Sequence, residues 1–267
     1  MKKPIVTREG RRIRLADVDP DDDAGLRNKS KAQARLAEDL ERLRQLQLLL
    51  YADNRYALLV VIQAMDTGGK DGTIRHVMSG LNPVGCVVTS FKVPTPDERQ
   101  HDYLWRIHRA VPPKGVVGVF NRSHYEDVLV TRVHKLIQEK TWERRYREIN
   151  DFERTLSQNG VEILKFYLHI SKAEQAKRLR ARIEDKSKNW KFSEADIAER
   201  RLWSKYQAAY QDAINECTTS CAPWHIVPAN KKWARDCVVA RAMADRLESL
   251  KLRYPKPVVD VSKIVIR

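Results

Sequence analysis

The stretch that decides the fold is an apolar run that breaks into a glycine-rich turn carrying one lysine. It reads Leu58-Leu59-Val60-Val61-Ile62-Gln63-Ala64-Met65-Asp66-Thr67-Gly68-Gly69-Lys70-Asp71-Gly72. A buried strand that feeds such a turn is typical of a phosphate-binding loop, because glycines let backbone N–H groups close on phosphate oxygens while the lysine adds a positive charge. The alternative is an ordinary strand-to-helix turn with an exposed lysine. The candidate phosphate-binding residues are Gly68, Gly69, Lys70, Asp71, Gly72 and Thr73.

The loop departs from the P-loop pattern G-x-x-x-x-G-K-[ST] at two positions. Gly69 and Lys70 fill the glycine–lysine pair, but Ala64 stands at the first glycine and Asp71 replaces the Ser or Thr that would hold Mg²⁺. Asp66, inside the loop, is a hard oxygen ligand that could bind Mg²⁺ directly. The sequence therefore predicts Asp66 as a metal ligand.

The composition favours a polyanionic partner. Among 267 residues, 50 Lys and Arg stand against 35 Asp and Glu, which gives a formal net charge of +15. Nucleic acid, an anionic membrane surface and inorganic polyphosphate all satisfy this charge. No apolar run approaches the roughly 20 residues of a membrane span, and the charged N-terminus is not typical of a signal peptide. We therefore expect a cytoplasmic protein with no membrane partner.

Strand and helix patterns alternate along the chain. The predicted strands cover residues 57–63, 86–91, 116–120, 162–170 and 225–227. The predicted helices cover residues 31–54, 73–81, 97–110, 142–157, 172–184, 194–217 and 234–250. This alternation indicates an α/β fold in which a central parallel sheet lies between two helical layers. We expect one domain over residues 1–267, with an N-terminal arm over residues 1–30.

A polar cluster follows the strand that ends at Phe120. Its residues are Asn121-Arg122-Ser123-His124-Tyr125-Glu126-Asp127. Ligands of open parallel sheets bind beyond the carboxyl ends of the strands, and a carboxylate there is the expected partner of a P-loop in holding Mg²⁺. Glu126 beside Asp127 favours a cation, since adjacent carboxylates repel. A helix-start carboxylate and a surface salt bridge are the alternatives for Asp127 and Arg122.

Basic residues are concentrated again in the second half of the chain. Arg178 and Arg182 lie on one helix face, where like charges repel unless an anion answers them. A solvated helix face is one reading, and a cationic lid over about residues 178–205 that grips polyphosphate is the other. The candidate polyphosphate ligands are Lys70, Arg122, Arg178, Arg182, Lys188 and Arg200.

Four motifs together resemble the polyphosphate kinase 2 family. They are the loop Asp66-Thr67-Gly68-Gly69-Lys70-Asp71-Gly72, the segment from Phe120 to Leu129, the lid-like Trp190-Lys191-Phe192-Ser193, and Ala222-Pro223-Trp224 leading to Pro228-Ala229-Asn230-Lys231. The similarity runs from about Lys31 to the last helix. It therefore covers nearly the whole chain.

The resemblance implies a P-loop kinase fold with a helical lid, similar to that of thymidylate kinases. It also implies Mg²⁺-dependent, reversible transfer of the terminal phosphoryl of inorganic polyphosphate to AMP and ADP, with Mn²⁺ as a substitute metal. Asp66 and Asp127 would be the metal-binding and catalytic aspartates, and Lys70 and Arg122 the phosphate ligands. Adenine and guanine nucleotides are the expected acceptors, and a homodimer or homotetramer is the expected assembly.

Asn121 followed by Glu126 and Asp127 resembles the subgroup that phosphorylates both nucleoside mono- and diphosphates. Arg75 and Arg106 are further nucleotide-binding candidates, because their segments flank the loop and the neighbouring strand. The acceptor phosphate has a second pKa of about 6 and is largely ionised at neutral pH, so no strong general base is required. We therefore interpret Asp66 as a metal ligand and positioning group.

Two other functions remain open at this stage. The first is a nucleic-acid-binding P-loop protein, but Trp203, Tyr206 and Tyr210 fall at helical core spacing rather than as a stacking platform. The second is a nucleotide kinase that uses ATP as its donor. The large positive charge favours an anion longer than ATP.

Overall fold

A six-stranded sheet crosses the middle of the computed structural model, which describes residues 4–187, 189–261, 264 and 266. The strands are β1 (Ile5–Val6), β2 (Ala57–Ala64), β3 (Cys86–Ser90), β4 (Val117–Asn121), β5 (Val161–His169) and β6 (Trp224–Pro228). Their order across the sheet is β1-β6-β5-β2-β4-β3. β2 to β6 run parallel, and β1 pairs antiparallel with β6. The predicted parallel α/β sheet is thereby confirmed.

β2 is the central strand. It pairs with β4 on one side and β5 on the other, and all of its residues are buried. Strands covered on both faces read as continuous apolar runs, which is the pattern of residues 57–64. Ile62 lies opposite Asn121, the last residue of β4. The register therefore brings the loop after β2 beside the polar segment after β4.

Helices cover the sheet in two groups. The helices are α1 (Lys29–Asp53), α2 (Lys70–Met78), α3 (Trp105–Arg109), α4 (Glu126–Val133), α5 (Glu139–Gln158), α6 (Lys172–Glu184), α7 (Glu194–Arg201), α8 (Trp203–Glu216) and α9 (Lys232–Ser249). α1 and α2 pack against α9, whereas α4, α5 and α8 pack against one another. The sheet lies between these groups, as the three-layer prediction requires. No helix within the described residues has the length and apolarity that a membrane crossing needs.

The N-terminal residues contribute more than the predicted arm. Ile5 and Val6 form the antiparallel edge strand, and Leu15, Val18 and Leu26 are buried. This strand was not predicted, because it has only two residues and its pairing partner, β6, lies more than 200 residues away. Segments this short carry no periodicity that could reveal them.

Two predicted helices are interrupted. In the range 97–110, the side chain of Asp102 accepts a hydrogen bond from the Leu104 N–H at 2.9 Å, and helix α3 begins only after this local turn. In the range 194–217, the Leu202 N–H bonds to the Glu199 carbonyl, three residues back, and separates α7 from α8. Helix α4 was not predicted, because it begins inside the polar cluster, at Glu126, and its eight residues are too few to show a clear helical period.

Candidate active site

The loop between β2 and α2 turns sharply at two left-handed residues. Thr67 has φ 60° and Gly69 has φ 104°. The positive φ of Gly69 favours glycine. A Cβ at this position would also collide with Nη1 of Arg235, a buried side chain that would have to shift. Lys70 begins α2, and its Nζ donates to the Ala64 carbonyl at 3.1 Å. The loop thus folds back on the end of β2, with the unpaired N–H groups of the α2 N-terminus available to an anion.

The segment after β4 lies against this loop. Arg122 has φ 63°, which is uncommon for a residue other than glycine, and its N–H donates to the Ile62 carbonyl at 3.2 Å. Its Nη2 lies 3.4 Å from Oδ1 of Asp66. The Asn121 amide donates to Oδ1 of Asp71 at 2.8 Å. The structure therefore brings together predicted site residues that are 50 and 56 positions apart in the chain.

Four charged groups define the mouth cluster: Asp66, Lys70, Arg122 and Glu126. Burial lowers the pKa of Lys70, and Arg122 lowers it further against the opposing effect of Asp66 and Glu126. Burial also raises the pKa of Glu126, although Arg122 and Lys70 oppose the shift. These mutual effects mean that the four side chains lie within electrostatic range of one another. Lysine and arginine side chains are groups that bind phosphoryl oxygens, and both of these lie at the glycine-rich loop.

Asp127 lies beside this cluster in a different environment. Nη1 of Arg145, from α5, donates to the Asp127 carbonyl at 2.9 Å and lies 3.4 Å from Oδ1. Burial raises the pKa of Asp127 to about 6, against the effect of Arg145 and Arg106, and Glu126 adds to the rise. The carboxylate is therefore incompletely neutralised by its protein neighbours. A cation from solution would stabilise its ionised form.

Asp66 and Asp127 are the carboxylates at the site that could contribute to a metal site. Within the described ranges, no group of three or more His, Cys, Asp or Glu side chains is arranged to hold a metal. Mg²⁺ commonly takes one or two carboxylates and completes its shell with water and substrate phosphates. Asp66 and Asp127 are oxygen donors of this kind, and the raised pKa of Asp127 indicates a site that gains from a cation. The donor set therefore suits Mg²⁺ and does not form a closed structural metal site.

Arg178 holds the phosphate loop from behind. It is 9% exposed, and Nη1 donates to the carbonyls of Thr67 and Gly68 at 3.0 Å each. Nη2 donates to the carbonyls of Ala229 and Asn230 at 2.5 and 3.1 Å. Arg178 thus links the loop after β2 to the loop after β6. Its direct contact with polyphosphate stays a prediction.

The other lid residues connect α6 and α7. Nη1 of Arg182 lies 2.9 Å from Oδ2 of Asp196. Nη1 of Arg200 donates to the carbonyl of the first α6 residue at 2.7 Å and to Oε1 of Gln175 at 3.0 Å. Lys188 lies outside the described residues. The predicted lid region is therefore tied by charged groups to the helix that carries Arg178.

The two arginines suggested for the nucleotide occupy different positions. Arg106 is buried, donates to the Lys92 carbonyl at 2.8 Å and lies 5.4 Å from the ring centroid of Phe91. It borders a cavity of about 370 Å³ beside β3. Arg75 is exposed on α2, with Nη2 3.4 Å from Nε2 of His76. Arg106 therefore lines this open cavity near the site, and Arg75 does not.

Several residues that support the site were missed by sequence reasoning. The Tyr210 hydroxyl donates to the Ala64 carbonyl at 3.0 Å, and the Gln175 amide donates to the Asp66 carbonyl at 3.1 Å. Arg235 is buried behind Gly69 and paired with Asp236. Only Arg235 and Asp236 left a signal, since two charged residues stand there inside an otherwise apolar helical run.

The fold and the site together define a class. A central parallel strand that leads through a glycine-rich loop into a helix beginning with lysine is the architecture of P-loop kinase-like proteins. Within this class, the chain belongs to the polyphosphate kinase 2 family. The family model described as Polyphosphate kinase 2 (PPK2) matches residues 26–255.

Relatives and a solved structure support this membership. The chain is 51% identical to the AMP/ADP-polyphosphate phosphotransferase of Meiothermus ruber over 267 residues, which is the full length of both chains. It is 45% identical to the ADP-polyphosphate phosphotransferase of Rhodopseudomonas palustris, over 93% of this chain and 90% of the relative. The crystal structure of polyphosphate kinase 2 from Arthrobacter aurescens TC1 superposes with a TM-score of 0.92 at 44% identity, covering 98% of this chain and 97% of that one.

Proposed function

We propose that this protein transfers the terminal phosphoryl of inorganic polyphosphate reversibly to AMP and ADP, giving ADP and ATP. The observation that carries the proposal is the mouth cluster, in which Lys70 and Arg122 lie together at the phosphate loop with carboxylates beside them. The full-length relatives support polyphosphate as donor and AMP or ADP as acceptor, because these are the substrates in their names. The net charge of +15 suits a long polyanionic donor.

The chain's own residues would act by binding and orientation. Lys70 and Arg122 would neutralise the oxygens of the moving phosphoryl, the arginine through two parallel N–H groups. The acceptor phosphate is mostly ionised at neutral pH, so no protein group needs to remove a proton from it. Asp66 is held by Arg122 and through its backbone by Gln175, which suits a positioning role.

Magnesium is the proposed cofactor, with Mn²⁺ as a substitute. Asp66 and Asp127 would hold it, with Glu126 close to both through the mutual effects on their pKa values. When bound, the ion neutralises phosphate oxygens and so lowers the electrostatic barrier to transfer. The protein's contribution would be to hold these carboxylates close to the phosphate loop, where burial raises the pKa of Glu126 and of Asp127 and so favours a cation beside them.

The cavity beside β3 is the proposed nucleotide site. It has a volume of about 370 Å³. Its lining is Thr89, Ser90, Phe91, Lys92, Val93, Thr95, Glu98, Trp105, Arg106, Arg109 and Ala110. This mixture of aromatic and cationic groups suits a purine base and its phosphates. The Asn121 amide lies 3.4 Å from the Ser90 hydroxyl at the edge of the cavity and also bonds Asp71, so the cavity adjoins the phosphate loop.

The polyphosphate chain is proposed to leave the site on the side of the lid, past Arg182 and Arg200. We further propose that the protein acts in the cytoplasm on adenine and guanine nucleotides, as a homodimer or homotetramer. Nucleic acid is not the expected partner, because Tyr206 and Tyr210 pack against the site and the core rather than forming a stacking surface.

The test is phosphoryl transfer from long-chain polyphosphate with Mg²⁺, with ADP and AMP as separate acceptors. We expect ATP from ADP and ADP from AMP, and we expect Lys70→Met to reduce both rates by about 100- to 1,000-fold. A parallel reaction with ATP as donor and AMP as acceptor examines the ordinary nucleotide kinase. The proposal fails if ATP supports transfer and polyphosphate does not, or if single-stranded nucleic acid binds tightly while no nucleotide is phosphorylated.

A further inference from the structure

A buried ion pair lies behind the site, between β5 and α5. Lys165 is 0% exposed and Glu153 is 1% exposed, and Nζ of Lys165 lies 2.6 Å from Oε2 of Glu153. Nζ also donates to the Cys217 carbonyl at 2.6 Å and to the Tyr125 hydroxyl at 2.8 Å. The ammonium group therefore uses all three of its donors. Burying two charges costs several kcal/mol per ion, and well-packed apolar residues often serve stability as well.

The second oxygen of Glu153 reaches the segment that carries the site carboxylates. Oε1 accepts from the Tyr125 hydroxyl at 2.9 Å and lies 3.2 Å from Nε2 of His124. Both side chains are buried, and they directly precede Glu126 and Asp127 in the chain. One carboxylate thus fixes two consecutive side chains immediately before the start of α4.

Helix α5 grips the same segment at a second point. Arg145 lies eight residues before Glu153, about two helical turns away on the same face. It bonds both the backbone and the side chain of Asp127. α5 therefore contacts the segment from His124 to Asp127 at its first and last residues. Lys165 supplies the anchor that holds Glu153 in this arrangement.

We infer that Glu153 and Lys165 are a positioning pair, which sets the placement of Glu126 and Asp127 at the mouth of the phosphate loop through His124 and Tyr125. The inference rests on the proposed function of Asp127 as a metal ligand. Neither member of the pair touches substrate or metal. Their effect on transfer would be indirect, through the geometry and metal affinity of the carboxylates they support.

The test replaces the pair by apolar side chains of similar length. In Glu153→Met/Lys165→Met no buried charge is left without its partner, but the Cys217 carbonyl and the Tyr125 hydroxyl lose hydrogen bonds. We therefore expect a folded protein whose unfolding temperature is lower by several degrees. Mn²⁺ affinity, measured by electron paramagnetic resonance with polyphosphate but no nucleotide, is expected to fall about 10- to 100-fold. The value of kcat is expected to fall similarly, with little change in KM for polyphosphate.

The matched control is Glu162→Met/Arg246→Met. Glu162 lies on the same strand as Lys165, three residues away and therefore on the opposite face, where it pairs with Arg246 of α9. This control removes an ion pair from β5 without touching the segment after β4. We expect its Mn²⁺ affinity and kcat to match the wild type.

A folded double variant with wild-type Mn²⁺ affinity and kcat overturns the inference. If that variant does not fold, Tyr125→Phe provides the test. It keeps the ion pair and removes the hydrogen bond between the Tyr125 hydroxyl and Glu153. We expect Tyr125→Phe to weaken Mn²⁺ binding about 3- to 10-fold, and unchanged binding would overturn the inference. Wild-type protein that binds Mn²⁺ but transfers no phosphoryl rejects the proposed function alone. Wild-type protein that binds no Mn²⁺ with polyphosphate rejects both.

Discussion

The carboxylate behind the phosphate loop, Glu153, differs from Asp127 beside the mouth cluster, although both side chains are largely removed from water. Burial alone would raise the pKa of Glu153, but Lys165 and His124 outweigh it and hold the pKa below its ordinary value. At the mouth, burial wins and raises the pKa of Asp127 to about 6. The buried charge of Glu153 is therefore compensated within the protein, by Lys165. At Asp127 the neighbouring arginines do not outweigh the effect of burial.

The two arginines of α6 show the same contrast among cations. The guanidinium of Arg178 donates hydrogen bonds to four backbone carbonyls and to the Glu174 carboxylate. Arg182, one turn later, is paired across the surface of the lid with Asp196 and remains more exposed. Two arginines on the same helix face therefore have different contacts. Arg178 bonds the phosphate loop, whereas Arg182 pairs with Asp196 of α7. Position in the tertiary structure, and not residue type, makes the division.

The largest effect is expected when one member of the buried ion pair between Glu153 and Lys165 is neutralised and the other keeps its charge. Glu153→Gln leaves Lys165 buried without its counter-charge and should lower the free energy of unfolding by about 3–5 kcal/mol at pH 7.5. Because the pKa of Glu153 is lowered in the folded protein, its stabilisation is present above the unfolded pKa and is lost as pH falls through the folded value. Urea unfolding at several pH values measures this loss. Equal stability of variant and wild type at pH 7.5 would remove the contrast.

The two arginines give the next effect. Arg178→Met should reduce the free energy of unfolding by about 2–4 kcal/mol, because the carbonyls of the phosphate loop and Glu174 lose a buried partner. Arg182→Met should cost less than about 1 kcal/mol, because its pair is partly exposed. Thermal unfolding of both variants measures the difference. A larger loss for Arg182→Met would show that the lid, and not the loop, depends on α6.

A smaller effect of opposite sign is expected at the mouth. The pKa of Asp127 is raised, so its favourable contribution is present below the unfolded pKa of about 4 and is lost as pH rises through about 6. At pH 7.5 the buried ionised group costs about 1–3 kcal/mol, which Asp127→Asn should remove. We expect this variant to unfold a few degrees higher at pH 7.5, with the gain fading towards pH 4.

The same variant should lose phosphoryl transfer about 100- to 1,000-fold, since an amide is a poor ligand for Mg²⁺ in place of a carboxylate. Calorimetry and the transfer assay would be run on one preparation. If Asp127→Asn is less stable than the wild type at pH 7.5, the ionised Asp127 stabilises the fold. Asp127 would then not differ from Glu153 in this respect.

The smallest effect is expected at an exposed pair. Nη2 of Arg12 lies 2.8 Å from Oε1 of Glu216, with both side chains largely in water. Arg12→Met should change the free energy of unfolding by no more than about 0.5 kcal/mol and leave transfer unchanged. Urea unfolding at low and at high salt provides the measurement. A change above 2 kcal/mol would show that burial is not what separates the strong pairs from the weak ones.

The amino-acid sequence by itself determined the central strand, the phosphate loop, the polar segment after β4 and the family. These features depend on local patterns, such as a continuous apolar run, glycines at a turn and charged residues at a strand end, which near neighbours impose. The sequence also indicated most helices, because their apolar residues recur with the helical period.

Only the tertiary structure decided which charged residues support the site and which face it. The hydrogen bond between the Thr7 N–H and the Trp224 carbonyl spans 217 positions, and Arg178 reaches the phosphate loop across 110. Lys165 stands inside the apolar strand run 163–168 and Glu153 in a polar helix, but neither segment records in the sequence which partner its charge will meet. Their roles arise from packing between distant segments, where burial multiplies the strength of each charge and no local pattern records the partner.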